Sequence, residues 1–187
     1  MIETILRADK AFLDYIQTLR TDMLDTLMAA VTFLGDAGIF WIAWAGVLCC
    51  FSKTRKTGFL MMAALAVTFA VSTLGLKNLF ERLRPCVQFP KDLFYACPSV
   101  TFTFASCPSG FSFPSGHSVS SFAAAGVLFF RHEKGGTVAL ILAFFIAFSR
   151  MYLYVHFPSD VLTGSLLGVA AAYLVVMYDR IKKKAEP

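Results

Sequence analysis

The chain has 187 residues, 57% of them hydrophobic and 16% charged, and its formal net charge is +5. A mean hydropathy of +0.66 exceeds what a soluble core of this length could bury, so the composition favours an integral membrane protein. The basic residues cluster in short loops between apolar runs, where the positive-inside rule accounts for them, and no nucleic-acid partner is expected. The length suits a single domain over residues 1–187, formed by a few spanning helices.

The N-terminal segment is amphipathic rather than uniformly apolar. Apolar residues within 2–19 fall near one helical face, which predicts a helix lying in the membrane interface over residues 1–20. The next run, residues 23–34, is apolar but measures roughly 18 Å as a helix, against a hydrocarbon core of about 30 Å. To cross the membrane, this helix must extend into the preceding polar segment or be buried against other helices.

Five stronger apolar runs follow a break at Gly35 to Gly38. They cover residues 39–51, 58–80, 115–130, 136–155 and 159–178, and the last contains Gly164 and Gly168 in a small-xxx-small packing pattern. We therefore expect an all-α integral membrane bundle of about six transmembrane helices with an N-terminal amphipathic helix. If residues 23–34 do not cross, five spans remain and the N-terminus lies on the other side of the membrane.

The loops between the apolar runs differ in charge and length. The short basic loops and the basic C-terminus fall on one side, which is predicted to be cytoplasmic, and residues 81–113 then form an outer loop. Prolines exclude a continuous helix through this loop, and a loop of such length is typical of a lid or a binding segment. In an oxidising compartment two of Cys86, Cys97 and Cys107 could form a disulfide, and all three pairings stay open.

A first polar cluster, Lys77 to Pro85, ends the 58–80 run. Seven residues are about two helical turns, so Lys77 and Arg84 are expected on one helical face, roughly 10 Å apart. Pro85 disfavours helix at Arg84 and should leave that side chain free to swing. The alternative is that both cations simply extend to the membrane interface.

A second cluster, Pro114-Ser115-Gly116-His117, opens the next run. Proline suits the first turn of a helix, and the unpaired backbone N–H groups that follow, with the helix dipole, form an anion site. Gly116 allows close approach of a ligand, and His117 can transfer a proton near neutral pH. An ordinary helix cap is the alternative, and it suits the similar segment 108–110, which lacks a histidine, better than this one.

A third cluster spans Ser149 to Asp160. Arg150 offers a bidentate fork for phosphate. His156 and Asp160 are four residues apart with Pro158 between them, so they could face each other across a turn. A carboxylate on one imidazole nitrogen fixes the tautomer and raises the nucleophilicity of the other nitrogen. The alternative is a purely structural His–Asp pair.

Taken together, the clusters hold three cations, a helix N-terminus, one histidine beside a carboxylate and one histidine without a partner in the sequence pattern. This set suits binding a tetrahedral dianion, attack on phosphorus and protonation of a leaving oxygen. The sequence offers no group of carboxylates suited to two magnesium ions, so no metal or other cofactor is implied.

The three clusters resemble the signature motifs of the type 2 phosphatidic acid phosphatase superfamily: Lys-x6-Arg-Pro, Pro-Ser-Gly-His and Ser-Arg-x5-His-x3-Asp. The resemblance extends from the 58–80 run to the last span, and the region before residue 58 carries no motif. It implies His156 as the nucleophile that forms a phosphohistidine, Asp160 as its orienting carboxylate and His117 as the acid. The phosphate-binding residues that it implies are Lys77, Arg84, Arg150, Ser115 and Gly116.

The resemblance also implies a substrate class, a lipid phosphate or pyrophosphate cleaved at the outer face of the cytoplasmic membrane, with the site facing the periplasm or exterior. Undecaprenyl pyrophosphate is the first expectation, followed by phosphatidylglycerol phosphate, phosphatidic acid and lipid A. Membrane lipids are the other expected partners, and the oligomeric state is not readable. Two alternatives are a vanadate-type haloperoxidase, which shares these motifs but is usually soluble, and a lipid-phosphate binding or transport module without turnover.

Overall fold

The computed structural model describes residues 2–89 and 107–185, and this part of the chain is helical and contains no strand. The expected all-α fold is confirmed. The α-helices are Ile2–Gln17 (α1), Asp22–Phe33 (α2), Ile39–Cys50 (α3), Arg55–Phe69 (α4), Lys77–Phe80 (α5), Pro85–Gln88 (α6), Gly116–Phe130 (α7), Gly136–Tyr152 (α8) and Pro158–Ala185 (α9). A 3₁₀ turn, Asp36–Gly38, joins α2 to α3, and a π-helical stretch, Ala70–Leu76, joins α4 to α5.

Within residues 2–89 and 107–185, three helical stretches are long and apolar enough to cross a membrane: Asp22–Cys50, Arg55–Gln88 and Pro158–Ala185. The helices α7 and α8 are apolar but shorter. The expected helical membrane bundle is confirmed, and α2 and α3 belong to one stretch of 29 residues, whereas hydropathy divides the same region into two runs. Each of these two helices has 12 residues, about 18 Å, and they reach across a core of about 30 Å only when joined end to end.

Contacts along α2 and α3 follow a single path through the bundle. Thr32 accepts a hydrogen bond of 2.6 Å from Arg150 near the C-terminal end of α8, and Trp41 donates one of 2.9 Å to Ser121 in α7. Near the end of α3, Cys49 contacts the backbone of α4 at Gly58. The N-terminal helix α1 therefore lies at the same end of the bundle as the His156 segment, not at the end that carries the basic loops.

The basic loops meet at the opposite end. Lys56 at the start of α4 forms an ion pair of 2.7 Å with Asp179 in α9, and Arg131 after α7 approaches the same carboxylate to 3.7 Å. Arg180 donates a hydrogen bond of 2.6 Å to the carbonyl of Phe130. These contacts gather the predicted cytoplasmic segments on one face, as the charge pattern indicates.

Helix α7 is the centre of the bundle and packs against α4, α8 and α9. Two glycines of α9 allow its backbone to touch that of α7. A Cβ at Gly168 would lie 2.6 Å from the Val119 carbonyl oxygen, and one at Gly164 would lie 2.8 Å from that of Ser115. The small-xxx-small pattern thus brings two of the three polar clusters onto helices in direct backbone contact.

The stretch 81–113 is less uniformly non-helical than predicted, because α6 forms one helical turn within it. A disulfide joins Cys86 in α6 to Cys107, with 6.0 Å between the Cα atoms. This is one of the three pairings that the sequence left open. Cys97 lies outside the described residues. The disulfide links the end of the first polar cluster to the segment that leads into the second.

Candidate functional site

His156 lies between α8 and α9, where the chain turns back on itself, and it is 2% exposed. Its backbone N–H donates to the Arg150 carbonyl at 3.3 Å. Asp160 sits in the first turn of α9 and accepts a hydrogen bond of 2.9 Å from the Phe157 N–H, which anchors the helix start. The expected facing of His156 and Asp160 is present, with 3.7 Å between Nδ1 and Oδ2.

A serine that the motif analysis did not single out stands between these two residues. Ser112 is fully buried, and its hydroxyl lies 2.5 Å from Asp160 Oδ2 and 3.3 Å from His156 Nδ1. A carboxylate can only accept, so the serine hydroxyl donates to Asp160 and is left to accept from Nδ1–H. The three groups form a relay of hydrogen bonds from imidazole to hydroxyl to carboxylate.

The other ring nitrogen of His156 faces a cation. Arg84 Nη1 lies 2.9 Å from Nε2 and 3.0 Å from the Val155 carbonyl oxygen. A guanidinium can only donate, so Nε2 carries a lone pair and the ring proton sits on Nδ1. Burial, followed by the charges of Arg84 and Arg150, lowers the pKa of His156 to about 3, although Asp160 opposes the shift. The imidazole is therefore neutral at physiological pH, with its lone pair directed at the arginine.

The three predicted cations lie close together, although not as the spacing suggested. The helix ends at Phe80, and Glu81 adopts φ 45°, so Lys77 and Arg84 do not share one helical face. Arg84 is extended, as expected before proline, but its side chain is 5% exposed and held by three acceptors rather than free to swing. Lys77 interacts electrostatically with Arg84, Arg150 and Asp160.

Arg150 is buried, with 6% of its surface exposed. Its Nη1 donates to Thr32, but its Nε is buried with no hydrogen-bond partner among residues 2–89 and 107–185. Buried donors in native proteins are nearly always paired, so this N–H is suited to an acceptor supplied by a ligand.

The N-terminus of α7 borders this cationic region. Ser115 caps the helix, its hydroxyl accepting from the Ser118 N–H, and its own N–H donates to the Asp160 carbonyl at 3.1 Å. A Cβ built at Gly116 would meet no atom within 4 Å, so the residue borders open space. Ser115 thus caps the helix, which the sequence offered only as the alternative, and the room predicted at Gly116 for a ligand lies at the same helix end.

His117 has a partner that was not predicted. Its Nε2 lies 2.9 Å from Asp36 Oδ1, in the turn between α2 and α3. The imidazole is 16% exposed and the carboxylate 53% exposed. Spacing could not reveal this contact, because 81 residues separate the two positions.

Arg82 connects the site to the N-terminal helix. One guanidinium nitrogen donates to Asp160 Oδ1 at 2.6 Å, the other donates to Asp9 Oδ2 at 2.7 Å, and the group stacks 4.0 Å over the Phe157 ring. Asp9 also accepts from the backbone N–H of Ser159, at 3.0 Å. Arg82 stands inside the first motif at a position that the motif leaves undefined, and Asp9 stands in a helix interpreted only as interfacial.

An apolar helical bundle with buried cations, a half-buried helix N-terminus and two carboxylate-linked histidines at one end defines an integral membrane protein with a site for a tetrahedral anion. The family comparison agrees, since the model of the PAP2 superfamily matches residues 55–184. The chain belongs to the PAP2 superfamily. The resemblance seen in the motifs is confirmed.

Relatives and a solved structure narrow the class. The chain is 27% identical over 161 residues to an undecaprenyl-diphosphatase of Sulfolobus acidocaldarius, covering 84% of this chain and 73% of the relative. It is 30% identical to a decaprenylphosphoryl-5-phosphoribose phosphatase of Mycobacterium tuberculosis, covering 94% and 93%. A crystal structure of a PAP2-type phosphatidylglycerolphosphate phosphatase from Bacillus subtilis superimposes with a TM-score of 0.75 at 29% identity, covering 95% of this chain and 87% of that one. Family and relatives together make the protein a membrane-bound lipid phosphatase.

Proposed function

We propose that the protein removes phosphate from a lipid phosphate or pyrophosphate at the outer face of the cytoplasmic membrane, through a phosphohistidine on His156 and without a metal ion. Undecaprenyl pyrophosphate is the first-choice substrate and phosphatidylglycerol phosphate the second. The observation that carries the proposal is the neutral, buried His156, whose Nε2 lone pair lies beside the cationic cluster of Lys77, Arg84 and Arg150.

The cations would bind the phosphoryl oxygens. Arg84 donates to Nε2, and a bound phosphate oxygen would compete for that N–H and release the lone pair. Arg150 Nε offers a second donor, and the N–H groups at Gly116 and the helix dipole of α7 add positive potential. Charge that develops on the oxygens is therefore stabilised by groups of the chain itself.

The chemistry takes two steps. Nε2 of His156 attacks the terminal phosphorus, and the bond from that phosphorus to the leaving oxygen breaks as His117 protonates it. The leaving oxygen is the lipid alcohol oxygen of a monophosphate or the bridging oxygen of a pyrophosphate. Water then attacks the phosphohistidine, giving a proton back to His117 as the N–P bond breaks. Asp160, acting through Ser112, holds the Nδ1 proton and stabilises the positive charge that forms on His156.

An apolar cavity supports a lipid substrate. It has a volume of about 480 Å³ and runs between the α2–α3 turn, α3, α4 and α7, with Leu65, Phe69 and Val119 among its walls. The cavity reaches Gly116 and His117 but not His156. A lipid chain in this cavity would place its oxygen on the side of the acid, with phosphorus between the two histidines.

The choice of headgroup rests on the names of the relatives, which include enzymes of polyprenyl phosphates and of phosphatidylglycerol phosphate. The outer orientation rests on the basic loops, which gather at the end away from the site. The disulfide beside the site favours the same orientation, because disulfides persist in oxidising compartments.

Purified protein in nanodiscs should release phosphate from undecaprenyl pyrophosphate faster than from phosphatidylglycerol phosphate, phosphatidic acid or lipid A, and should do so in EDTA. His156→Ala should abolish release, and radiolabelled substrate should leave an acid-labile phosphoenzyme only when His156 is present. His132→Asn, a substitution in the basic loop after α7, is the matched control and should keep full activity. Activity that survives His156→Ala, or disappears with chelator, contradicts the mechanism. Transfer of lipid across liposomes without hydrolysis would favour a transport module instead.

A further inference from the structure

The turn between α2 and α3 is shaped around His117. It consists of Gly35, Asp36, Ala37 and Gly38, and it lies outside residues 55–184, the part of the chain that matches the family model. The sequence presents it only as a break between apolar runs. In the structure it lies inside one helical stretch that is long and apolar enough to cross a membrane, and it contacts His117.

Two features hold the turn against the imidazole. A Cβ at Gly35 would lie 2.4 Å from His117 Cδ2, so only glycine permits this approach. Ala37 and Gly38 then adopt the left-handed conformation, with φ of 48° and 69°. An alanine is uncommon there, and such backbone strain is found where the surrounding structure imposes it for a function. The result is that Asp36 Oδ1 meets His117 Nε2 at 2.9 Å.

The hydrogen bond determines which ring nitrogen can serve the substrate. A carboxylate only accepts, so Nε2 carries a proton and is occupied by Asp36, and Nδ1 is the nitrogen left for the leaving oxygen. His156 has the reverse arrangement, since its Nδ1 faces Ser112 and Asp160 and its Nε2 is left for phosphorus.

We propose that Asp36 is the positioning residue of the proton-transfer step, holding His117 through Nε2 so that Nδ1 delivers the proton to the leaving oxygen and recovers it from the attacking water. The inference rests on the proposed function. In the first step the P–O bond breaks as the N–P bond forms and the Nδ1 proton moves to the leaving oxygen. In the second step water gives its proton to Nδ1 as the N–P bond breaks.

Several groups act on the charge of the His117 imidazole. Burial disfavours a positive charge there most strongly, and Arg150 of α8 and Arg84 disfavour it as well. Asp36 is the group that opposes them, through a hydrogen bond and through its charge. It also acts on Arg150, so it balances the side of the site that faces the leaving group.

The leaving group provides a direct test. Formation of the phosphoenzyme is measured in a single turnover with a lipid phosphate, whose alkoxide needs a proton, and with p-nitrophenyl phosphate, whose phenolate does not. Asp36→Asn should slow the reaction with the lipid by roughly ten- to a hundredfold and the aryl reaction by much less. Asp36→Glu should recover much of the lost rate. Glu81→Gln, which neutralises an exposed carboxyl group on the outer segment, is the matched control.

The pH dependence of kcat/KM provides a second readout, which would not change if Asp36 had a purely structural role. Without the carboxylate an imidazolium gives up its proton more readily, so the alkaline limb of kcat/KM for the lipid substrate should move to lower pH in Asp36→Asn. In Asp36→Glu the alkaline limb of kcat/KM should return to its wild-type position.

Substitutions at two glycines test the position of the imidazole without changing the charge of Asp36. Gly35→Ala places a methyl group on the His117 ring and should reproduce the selective loss, whereas Gly46→Ala in α3, where a Cβ meets nothing within 4 Å, should not. Equal loss with both substrates, or no loss in Asp36→Asn, overturns the inference. A wild-type protein that forms no phosphoenzyme from any lipid phosphate instead overturns the proposed function.

Discussion

Ser112 makes the link between the Asp160 carboxylate and the His156 imidazole indirect. With 3.7 Å between Nδ1 and Oδ2, those two atoms are too far apart for a direct hydrogen bond. The buried hydroxyl closes the gap, and the Ser112 N–H is itself fixed by the Arg82 carbonyl at 2.7 Å. The orientation of His156 therefore depends on a residue that belongs to none of the three motifs.

Removing this hydroxyl should weaken the nucleophile without removing it. We expect Ser112→Ala to lower the rate of phosphoenzyme formation by roughly ten- to a hundredfold, because small misplacement of a reacting group is costly. Substrate KM should change little, since the cations remain. Rapid-quench measurement of phosphohistidine checks this. Ser109→Ala, at an exposed serine of the same segment, should behave as wild type, and equal effects of the two substitutions would contradict the relay.

The neutrality of His156 can be tested directly. Because burial and two arginines lower its pKa to about 3, its ring signals should show no titration between pH 8 and pH 5. An unfolded chain would bind a proton at this position below about pH 6.5, whereas the folded chain would do so only near pH 3. The free energy of unfolding should therefore fall as pH is lowered from about 6.5 to about 3. NMR of protein labelled at histidine nitrogens, with His117→Gln and His132→Asn for assignment, measures the titration. A midpoint near 6.5 for His156 would refute it.

At the scale of elements, α1 is part of the site's framework. Asp9 accepts from Arg82 and from the N–H of Ser159 at the start of α9, and it is 5% exposed. Gln17 of the same helix donates to the Tyr152 carbonyl at the end of α8, at 3.1 Å. The helix thus ties together the ends of the two elements that flank His156.

Loss of the Asp9 contacts with Arg82 and Ser159 should destabilise the protein and make the position of Asp160 less fixed. For Asp9→Asn we expect a loss of about 2 kcal/mol, less than for a fully buried pair because Arg82 is partly exposed. The melting temperature in detergent should fall by roughly 4–8 °C. Glu3→Gln, at an exposed position in the first turn of α1, should leave it unchanged. A melting temperature in Asp9→Asn equal to wild type would mean that α1 is only an anchor.

Elements were predictable where local chemistry decides them. The apolar runs and the amphipathic α1 appear as expected, because periodicity acts over a few residues. The start of α7 is displaced slightly, since the helix begins at Gly116 with Ser115 as its cap and not with Pro114 in its first turn. The end of α5 was not predictable, since the left-handed Glu81 that stops the helix is not a typical terminator. The contacts of Asp36, Asp9 and Ser112 bridge positions 44 to 150 residues apart, and no spacing rule reaches that far.

On the scale of the whole molecule, the disulfide allows tests of both the stability of the fold and the side of the membrane on which the site lies. A bond between Cys86 and Cys107, 21 residues apart, should stabilise the fold by about 3 kcal/mol by restricting the unfolded chain. Reductant or Cys86→Ser should therefore lower the melting temperature, while Cys49→Ser, at a free cysteine in α3, should not. Thiols that are fully reduced in protein taken from cells under non-reducing conditions would contradict an outer-facing site.

The division of residues 23–51 into helices also depends on contacts that local sequence does not reveal. Hydropathy separates residues 23–34 from 39–51 because a Gly-Asp-Ala-Gly segment interrupts them, and such a segment usually marks a loop. In the structure this segment lies inside one helical stretch of 29 residues, and the hydrogen bond from Trp41 to Ser121 places α3 further along the bundle than α2. Only the partners of each helix distinguish a kink from a hairpin.

The backbone contact between α7 and α9 has a mechanical consequence. At Gly164 and Gly168 the backbone of α9 lies directly against backbone atoms of α7, and the Ser115–Asp160 hydrogen bond joins the ends of the two helices. The second and third motifs therefore belong to one closely packed pair of helices, which cannot separate without breaking that contact. The cavity lies beside this pair, since α7 forms one wall and the α2–α3 turn, α3 and α4 form the others. A bulky chain that enters the cavity should therefore displace α3 and α4 more readily than it changes the distance between the two histidines.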